Sequence, residues 1–118
     1  MLDEIITISM LYDFYGNLLP EKQKEFFKLY HEENYSLSEI AKEFGLSRQG
    51  VYDGVKKAEK ALYTYEEKLG LMSCFKKTEQ TLKIIDKALS ELIENNNENT
   101  VLSAQLMQIK NNADALGE

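Results

Sequence analysis

The sequence predicts an all-α protein. Only 6 of the 118 residues are glycine and 1 is proline, so the chain has few of the residues that tight turns between strands require. Apolar side chains recur every three or four residues along most of the chain, which is the period of one helix face. The length suits one ordinary domain with an appended arm.

Composition argues against several classes of protein. Cys74 is the only cysteine and His31 the only histidine, so we expect no disulfide, no metal site and no cofactor. The apolar run at residues 5–8 follows two acidic residues and is short, which favours a cytoplasmic protein without membrane insertion. Because no acid/base pair or phosphate-binding loop is present, we expect a protein that is not an enzyme.

Two helices are predicted before residue 34. Residues 2–18 begin with acids in the first turn and carry a wide apolar stripe, so we interpret them as an amphipathic helix with more than one neighbour. Pro20 suits the first position of a second helix at 20–32. The residues that this second helix is expected to bury are Phe26, Phe27, Leu29 and Tyr30.

A short helix, a tight turn and a longer helix follow. Ser36 and Glu39 have the spacing of a capping box, which predicts a helix from residue 37, and Gly45 suits the left-handed residue that ends it. Ser47 is a second N-cap, before a helix that extends to about Gly70. This order is that of a helix-turn-helix. The residues expected to form its core and turn are Ile40, Ala41, Gly45, Leu46, Val51 and Val55.

The last part of the chain predicts a helical hairpin. A heptad pattern extends over residues 71–92, a run of asparagines breaks it, and Thr100 is interpreted as the cap of a last helix with a similar stripe. We therefore divide the chain into a helix-turn-helix domain with an extra N-terminal helix at 1–70 and a C-terminal helical hairpin at 71–118. Because the stripes exceed what one short hairpin covers, we expect an association arm and a homodimer or higher oligomer.

Residues 19–62 resemble region 4 of bacterial sigma factors. The resemblance is carried by the stretch from Leu19 to Gln23, and by the stretch from Tyr35 to Arg48 with its continuation to residue 62. No region for recognising the −10 element or for binding core polymerase precedes it. We therefore do not expect a complete sigma factor.

The order of features along the whole chain is more similar to the YlxM family, which are small helix-turn-helix proteins of low-GC Gram-positive bacteria. The shared features are the extra N-terminal helix, the stretch from Ser47 to Asp53 and an acidic helical tail. In that family the gene lies beside those for the signal recognition particle and its receptor. The resemblance therefore implies an accessory or regulatory role in that pathway.

In the sigma-factor pattern the second helix of the motif enters the major groove of DNA by its N-terminal end. Carried over residue by residue, this pattern implies that Arg48 binds guanine or phosphate and that Gln49 pairs with adenine. The full set of residues expected to bind nucleic acid is Arg48, Gln49, Tyr52, Lys56 and Lys57.

Three features oppose strong DNA binding. The net charge is −6 at pH 7, Asp53 and Glu59 lie beside the residues expected to bind nucleic acid, and Gly54 weakens the second helix of the motif. Two functions stay open. The first is a regulatory protein that binds DNA weakly, and the second is an accessory protein that binds signal recognition particle protein or RNA without reading DNA.

Overall fold

The computed structural model describes residues 2–117, which form helices and no strand, so the predicted all-α class is confirmed. A 3₁₀ turn at Gly16–Leu18 follows the first helix, and a π-helical segment at Lys28–Glu32 continues the second. The described residues divide into two compact units, with the boundary between Met72 and Ser73. The α-helices are α1 (Leu2–Tyr15), α2 (Glu21–Phe27), α3 (Leu37–Phe44), α4 (Arg48–Leu69), α5 (Leu71–Asn95) and α6 (Thr100–Leu116).

Helix α4 lies at the centre of the first unit. Its buried residues are separated by four, three and four positions, so they lie on one face of the helix. The N-terminal pair packs against buried residues of α2 and α3, and the C-terminal pair packs against α1 and α2. One helix face therefore holds the helix-turn-helix and the N-terminal helix together. Its residues are Val51, Val55, Ala58 and Leu62.

The second helix deviates from the prediction in its last turn. Phe26 and Phe27 are buried and Leu29 is half-buried, but Tyr30 is 38% exposed, so the burial predicted for Tyr30 is wrong. The reason is the π-helical geometry from Lys28 onward, which has more residues per turn than an α-helix. The side chains after Lys28 consequently no longer follow the α-helical period that predicted their burial.

Helices α2 and α4 approach each other closely at Gly54. A Cβ atom added to Gly54 would lie 2.7 Å from Cδ2 of the buried Phe26 ring. The same ring meets Phe44 of α3 edge to face, with the ring centroids 5.1 Å apart. Gly54, which lowers the intrinsic helix propensity of α4, thus provides the space that the Phe26 ring occupies.

Tyr15 connects α1 to the start of α5. Its buried hydroxyl donates a hydrogen bond to Oε1 of Glu66 at 2.6 Å and accepts one from the N–H of Leu71 at 2.9 Å. The same Glu66 oxygen accepts from the N–H of Met72 at 2.9 Å. Burial and the hydrogen bond to Glu66 raise the pKa of Tyr15 above its ordinary value. The first N–H groups of α5 are therefore satisfied by side chains of α1 and α4.

The second unit is an antiparallel hairpin of α5 and α6. Asn99 has extended backbone geometry and its side chain accepts from the N–H of Leu102 at 3.0 Å, so Asn99 and not Thr100 is the cap of α6. Leu89 is the one buried residue among those described in this unit. The predicted seams are therefore only partly covered: Leu82, Leu106 and Ala113 are half-buried, while Ile85, Leu92, Ile109 and Leu116 are exposed. The hairpin interface also includes an ion pair between Asp86 and Lys110, which an apolar pattern does not reveal.

The contact between Phe26 and Gly54 predicts an unusual response to mutation. Gly54→Ala improves helix propensity by about 1 kcal/mol but brings a methyl group onto the ring, and we expect a net loss of about 1–3 kcal/mol in the free energy of unfolding. In a Phe26→Leu background the same substitution should cost much less or stabilise. Chemical denaturation of the four proteins in this double-mutant cycle measures the coupling, and additive effects would contradict the close approach.

Candidate nucleic-acid interface

Two serine caps and one glycine define the helix-turn-helix. Oγ of Ser36 accepts from the N–H of Glu39 at 3.0 Å, and the Glu39 carboxylate accepts from the N–H of Ser36 at 3.1 Å. These hydrogen bonds hold the pKa of Glu39 below its ordinary value. Gly45 has a left-handed φ of 67°, and Oγ of Ser47 accepts from the N–H of Gly50 at 3.0 Å. Helix α3 therefore ends, and α4 begins, at the residues where the sequence signals stand.

The core of the motif contains most of the expected side chains and one that was not expected. Ile40 and Val51 are completely buried, and Ala41 and Val55 nearly so. Leu46 is 41% exposed, so the prediction that it is part of the motif core is wrong. The reason is that Phe26 of α2 packs into this cluster, in the space between the helices of the motif.

The residues expected to bind nucleic acid all lie on the exposed side of α4, near its N-terminus. Val51 and Val55, which alternate with them along the chain, face the core. The free N–H groups of the first turn give the helix N-terminus a partial positive charge. This surface therefore offers donors and cations to a phosphate or a base edge. Its residues are Arg48, Gln49, Tyr52, Lys56 and Lys57, which we call the α4 surface.

Acidic residues of α4 pair with two members of the α4 surface. The side-chain amide of Gln49 donates to Asp53 at 3.0 Å, and the ammonium of Lys56 donates to Glu59 at 3.2 Å. The hydrogen bond to Glu59 raises the pKa of Lys56 above its ordinary value. The Lys56 ammonium also lies 5.5 Å from the centroid of the Tyr52 ring, within the range of a cation–π contact. Three members of the α4 surface thus already have a side-chain contact within α4.

Arg48 and Lys57 differ from Lys56 in their surroundings. Both are exposed, and neither has an ion-pair partner within residues 2–117. Binding a phosphate through either side chain therefore breaks no existing ion pair. Arg48 also directly follows the Ser47 cap, where the helix dipole favours an anion.

Glu59 has a second partner that sequence reasoning missed. Nε2 of His31 lies 2.9 Å from Oε2 of Glu59, and both side chains are mostly buried. The His31 ring packs on Phe27, with the ring centroids 4.4 Å apart. His31 and Glu59 are 28 positions apart, so no local spacing predicts this contact. The Glu59 carboxylate therefore has contacts with both His31 and Lys56, and the Lys56 ammonium offsets its negative charge beside the α4 surface.

No helix within residues 2–117 is long and apolar enough to cross a membrane. Over the same residues, no group of three or more histidine, cysteine, aspartate or glutamate side chains has an arrangement that holds a metal ion.

Comparison with known proteins identifies the family. The profile of UPF0122, described as "Putative helix-turn-helix protein, YlxM / p13 like", matches residues 2–111. The chain belongs to the UPF0122 family. The resemblance to YlxM proteins is therefore confirmed, and the match covers α1 to α5 and most of α6.

Individual UPF0122 relatives cover most of the chain. A UPF0122 protein of Caldanaerobacter subterraneus subsp. tengcongensis is 49% identical over 87 residues, which are 74% of this chain and 72% of the relative. One from Halalkalibacterium halodurans is 44% identical over 91 residues, 77% of this chain and 84% of the relative. One from Listeria innocua is 39% identical over 111 residues, 94% and 98% of the two chains.

The two caps predict separable effects on stability. Ser36→Ala and Ser47→Ala each remove a side-chain acceptor from a helix N-terminus, and we expect each to cost about 1 kcal/mol of the free energy of unfolding. Ser38→Ala is the matched control, because Ser38 is exposed and lies inside α3. It should change stability by less than about 0.5 kcal/mol. Equal effects of all three substitutions in urea denaturation would contradict the cap assignments.

Proposed function

We propose that this UPF0122 member is a cytoplasmic, non-enzymatic regulatory protein that binds DNA by inserting the N-terminal end of α4 into the major groove. The observation that carries the proposal is the α4 surface, in which five polar side chains are exposed on the second helix of a helix-turn-helix. In this kind of motif that helix reads base edges with its N-terminal residues. The family description as a helix-turn-helix protein supports the same reading.

Arg48 has the leading role in this proposal. Its guanidinium can donate two parallel hydrogen bonds to guanine, and no carboxylate of the described residues competes for it. Gln49 has to exchange its hydrogen bond to Asp53 for one to a base, so its contribution to affinity is smaller. Lys57 is suited to a backbone phosphate, which positions the helix without carrying sequence information.

The charge distribution predicts weak binding that depends strongly on salt. Residues 48–60 contain four basic and two acidic side chains, whereas the whole chain has a net charge of −6. The local excess of positive charge attracts phosphates, while the rest of the molecule repels them over distances up to the Debye length. Specific binding should therefore be clearest at low ionic strength.

Substitutions on the α4 surface test the proposal in a titration of labelled genomic fragments at two salt concentrations. Arg48→Ala should weaken specific binding by about 1–3 kcal/mol, and Arg48→Lys should retain the charge but lose the bidentate contact. Lys57→Ala should weaken binding to all DNA sequences alike. It should also lower the slope of log affinity against log salt concentration by about one. Lys68→Ala, at the far end of α4, is the control and should have little effect.

The same variants distinguish DNA binding from the second candidate function. An acidic protein is better suited to a protein partner than to bulk nucleic acid, which favours an accessory role in the signal recognition particle pathway as the alternative. If neither wild type nor Arg48→Ala binds DNA at low salt, while wild type captures a component of that particle, the DNA-binding proposal is wrong. Specific binding that Arg48→Ala removes supports it.

Removing the negative charge of Asp53 should increase the affinity for DNA. Its carboxylate lies among the cations of the α4 surface, where it repels phosphate, so Asp53→Asn should strengthen DNA binding by about threefold at low salt. Asp13→Asn makes the same chemical change on the exposed side of α1 and serves as the matched control. An equal gain from both substitutions in the same titration would indicate an effect of net charge and not of the α4 surface.

A further inference from the structure

The geometry points to a second copy of this chain as the partner of the α5–α6 hairpin, with the same face of each hairpin joined in an antiparallel four-helix bundle. The inference concerns the second unit alone and does not depend on DNA binding. It rests on the way the hairpin is packed, on the position of its exposed apolar residues and on the charges beside them.

The interface inside the hairpin is small and partly polar. Nζ of Lys110 lies 3.0 Å from Oδ1 of Asp86, and Oγ of Ser103 donates to the carbonyl oxygen of Asn96 at 2.9 Å. These contacts mark the sides of α5 and α6 that face each other. Among the described residues of this unit only Leu89 is buried, so the hairpin by itself has almost no core.

Large apolar side chains lie next to this interface on both helices. In α5, Ile85 follows the half-buried Leu82 by three positions, and Leu92 follows the buried Leu89 by three. Three positions correspond to a rotation of about 60° around the helix axis. Ile85 and Leu92 are therefore both exposed, on the same side of the line that joins the two helices.

Helix α6 repeats the arrangement. Ile109 follows the half-buried Leu106 by three positions, and Leu116 follows the half-buried Ala113 by three, and both are exposed. Two facing antiparallel helices are related by a two-fold axis perpendicular to their common plane. Equal rotations around each helix consequently point to the same side of the hairpin. The exposed residues form one surface, which we call the hairpin face: Ile85, Leu92, Ile109 and Leu116.

The hairpin face is an apolar surface that needs a packing partner. Exposed apolar surface beside an almost absent core is typical of a helix pair that completes its packing with a partner. A two-fold symmetric interface needs a surface that is complementary to itself, and the simplest solution for two hairpins is a four-helix bundle. Burying the hairpin faces of two copies against each other would supply the core that each hairpin lacks.

Charges beside the hairpin face favour a second copy in antiparallel orientation. Ile84 is 71% exposed, and Lys77 and Glu91 lie seven positions before and after it, in the same row along α5. Both are exposed and have no ion-pair partner within residues 2–117. With the two-fold axis at the level of Ile84, Lys77 of each copy lies at the level of Glu91 of the other, at the edge of the joined hairpin faces. A parallel arrangement would instead bring like charges to the same level.

Sedimentation velocity of the full chain over a range of concentrations tests the interface. Wild type should dimerise, and Ile109→Glu should give a monomer whose circular dichroism remains helical, because Ile109 is exposed in the single chain. A wild type that stays monomeric at the highest concentrations reached, with the helical content retained, overturns the inference.

A charge exchange tests the orientation. Lys77→Glu replaces two attractive contacts per dimer with repulsive ones, and we expect the dissociation constant to rise about tenfold. Lys77→Glu combined with Glu91→Lys should restore the wild-type value. The matched control is Lys76→Glu, which makes the same charge change one position away and about 100° around the helix. Equal weakening by Lys76→Glu, or failure of the double variant to recover, overturns the antiparallel pairing.

Crosslinking provides a distance readout. Cys74 is exposed and lies ten positions before Ile84, so an antiparallel dimer separates the two Cys74 residues by about 30 Å. A bismaleimide with a short spacer should leave the wild type uncrosslinked, whereas Ile84→Cys in a Cys74→Ser background should give a crosslinked dimer. Crosslinking through Cys74 at protein concentrations where the dimer is populated would indicate a parallel pair and overturn the proposal.

Discussion

The first unit depends on the buried face of α4, because that one face takes part in both apolar clusters. Val51 and Val55 pack with residues of α2 and α3, and Ala58 and Leu62 pack with residues of α1 and α2. The exposed residues at the start of α4 belong to the same rigid helix, so their direction is fixed by the packing on its other side. The close approach at Gly54 sets how deeply α2 packs against this helix. The buried face of α4 therefore holds the first unit together, and the exposed face of the same helix carries the candidate binding residues.

The charged residues of α4 are also arranged so that the acidic side chains beside the α4 surface have partners within the protein. Of these two residues, Asp53 is engaged by Gln49, and Glu59 by both Lys56 and His31. Arg48 is left without an ion-pair partner among residues 2–117, at a helix N-terminus, where a basic side chain and the helix dipole act together on an anion. An acidic protein can in this way present a locally basic surface, at the expense of affinity at physiological salt.

The sequence predicts the helix boundaries of the motif well because caps and left-handed glycines are local signals. Ser36, Gly45 and Ser47 each act within a few residues of their own position. The wrong assignments come from tertiary contacts: Leu46 is exposed because Phe26 packs into the cluster between the helices, and the His31 contact with Glu59 has no local signature. In the hairpin, the apolar period predicts two helices but not the ion pair between Asp86 and Lys110 that joins them. The α4 surface follows from the motif alone and its pairs within α4 have local spacings, whereas the contact of His31 with Glu59 needs the folded structure.

The proposed function requires that the N-terminal end of α4 contacts DNA. The most direct measurement is a heteronuclear NMR titration of the labelled protein with a short DNA duplex at low salt. We expect the largest chemical-shift changes at the backbone amides of Arg48 to Lys57, with little change at residues 100–116. Shifts confined to other helices, or none at a duplex concentration far above that of the protein, would contradict it.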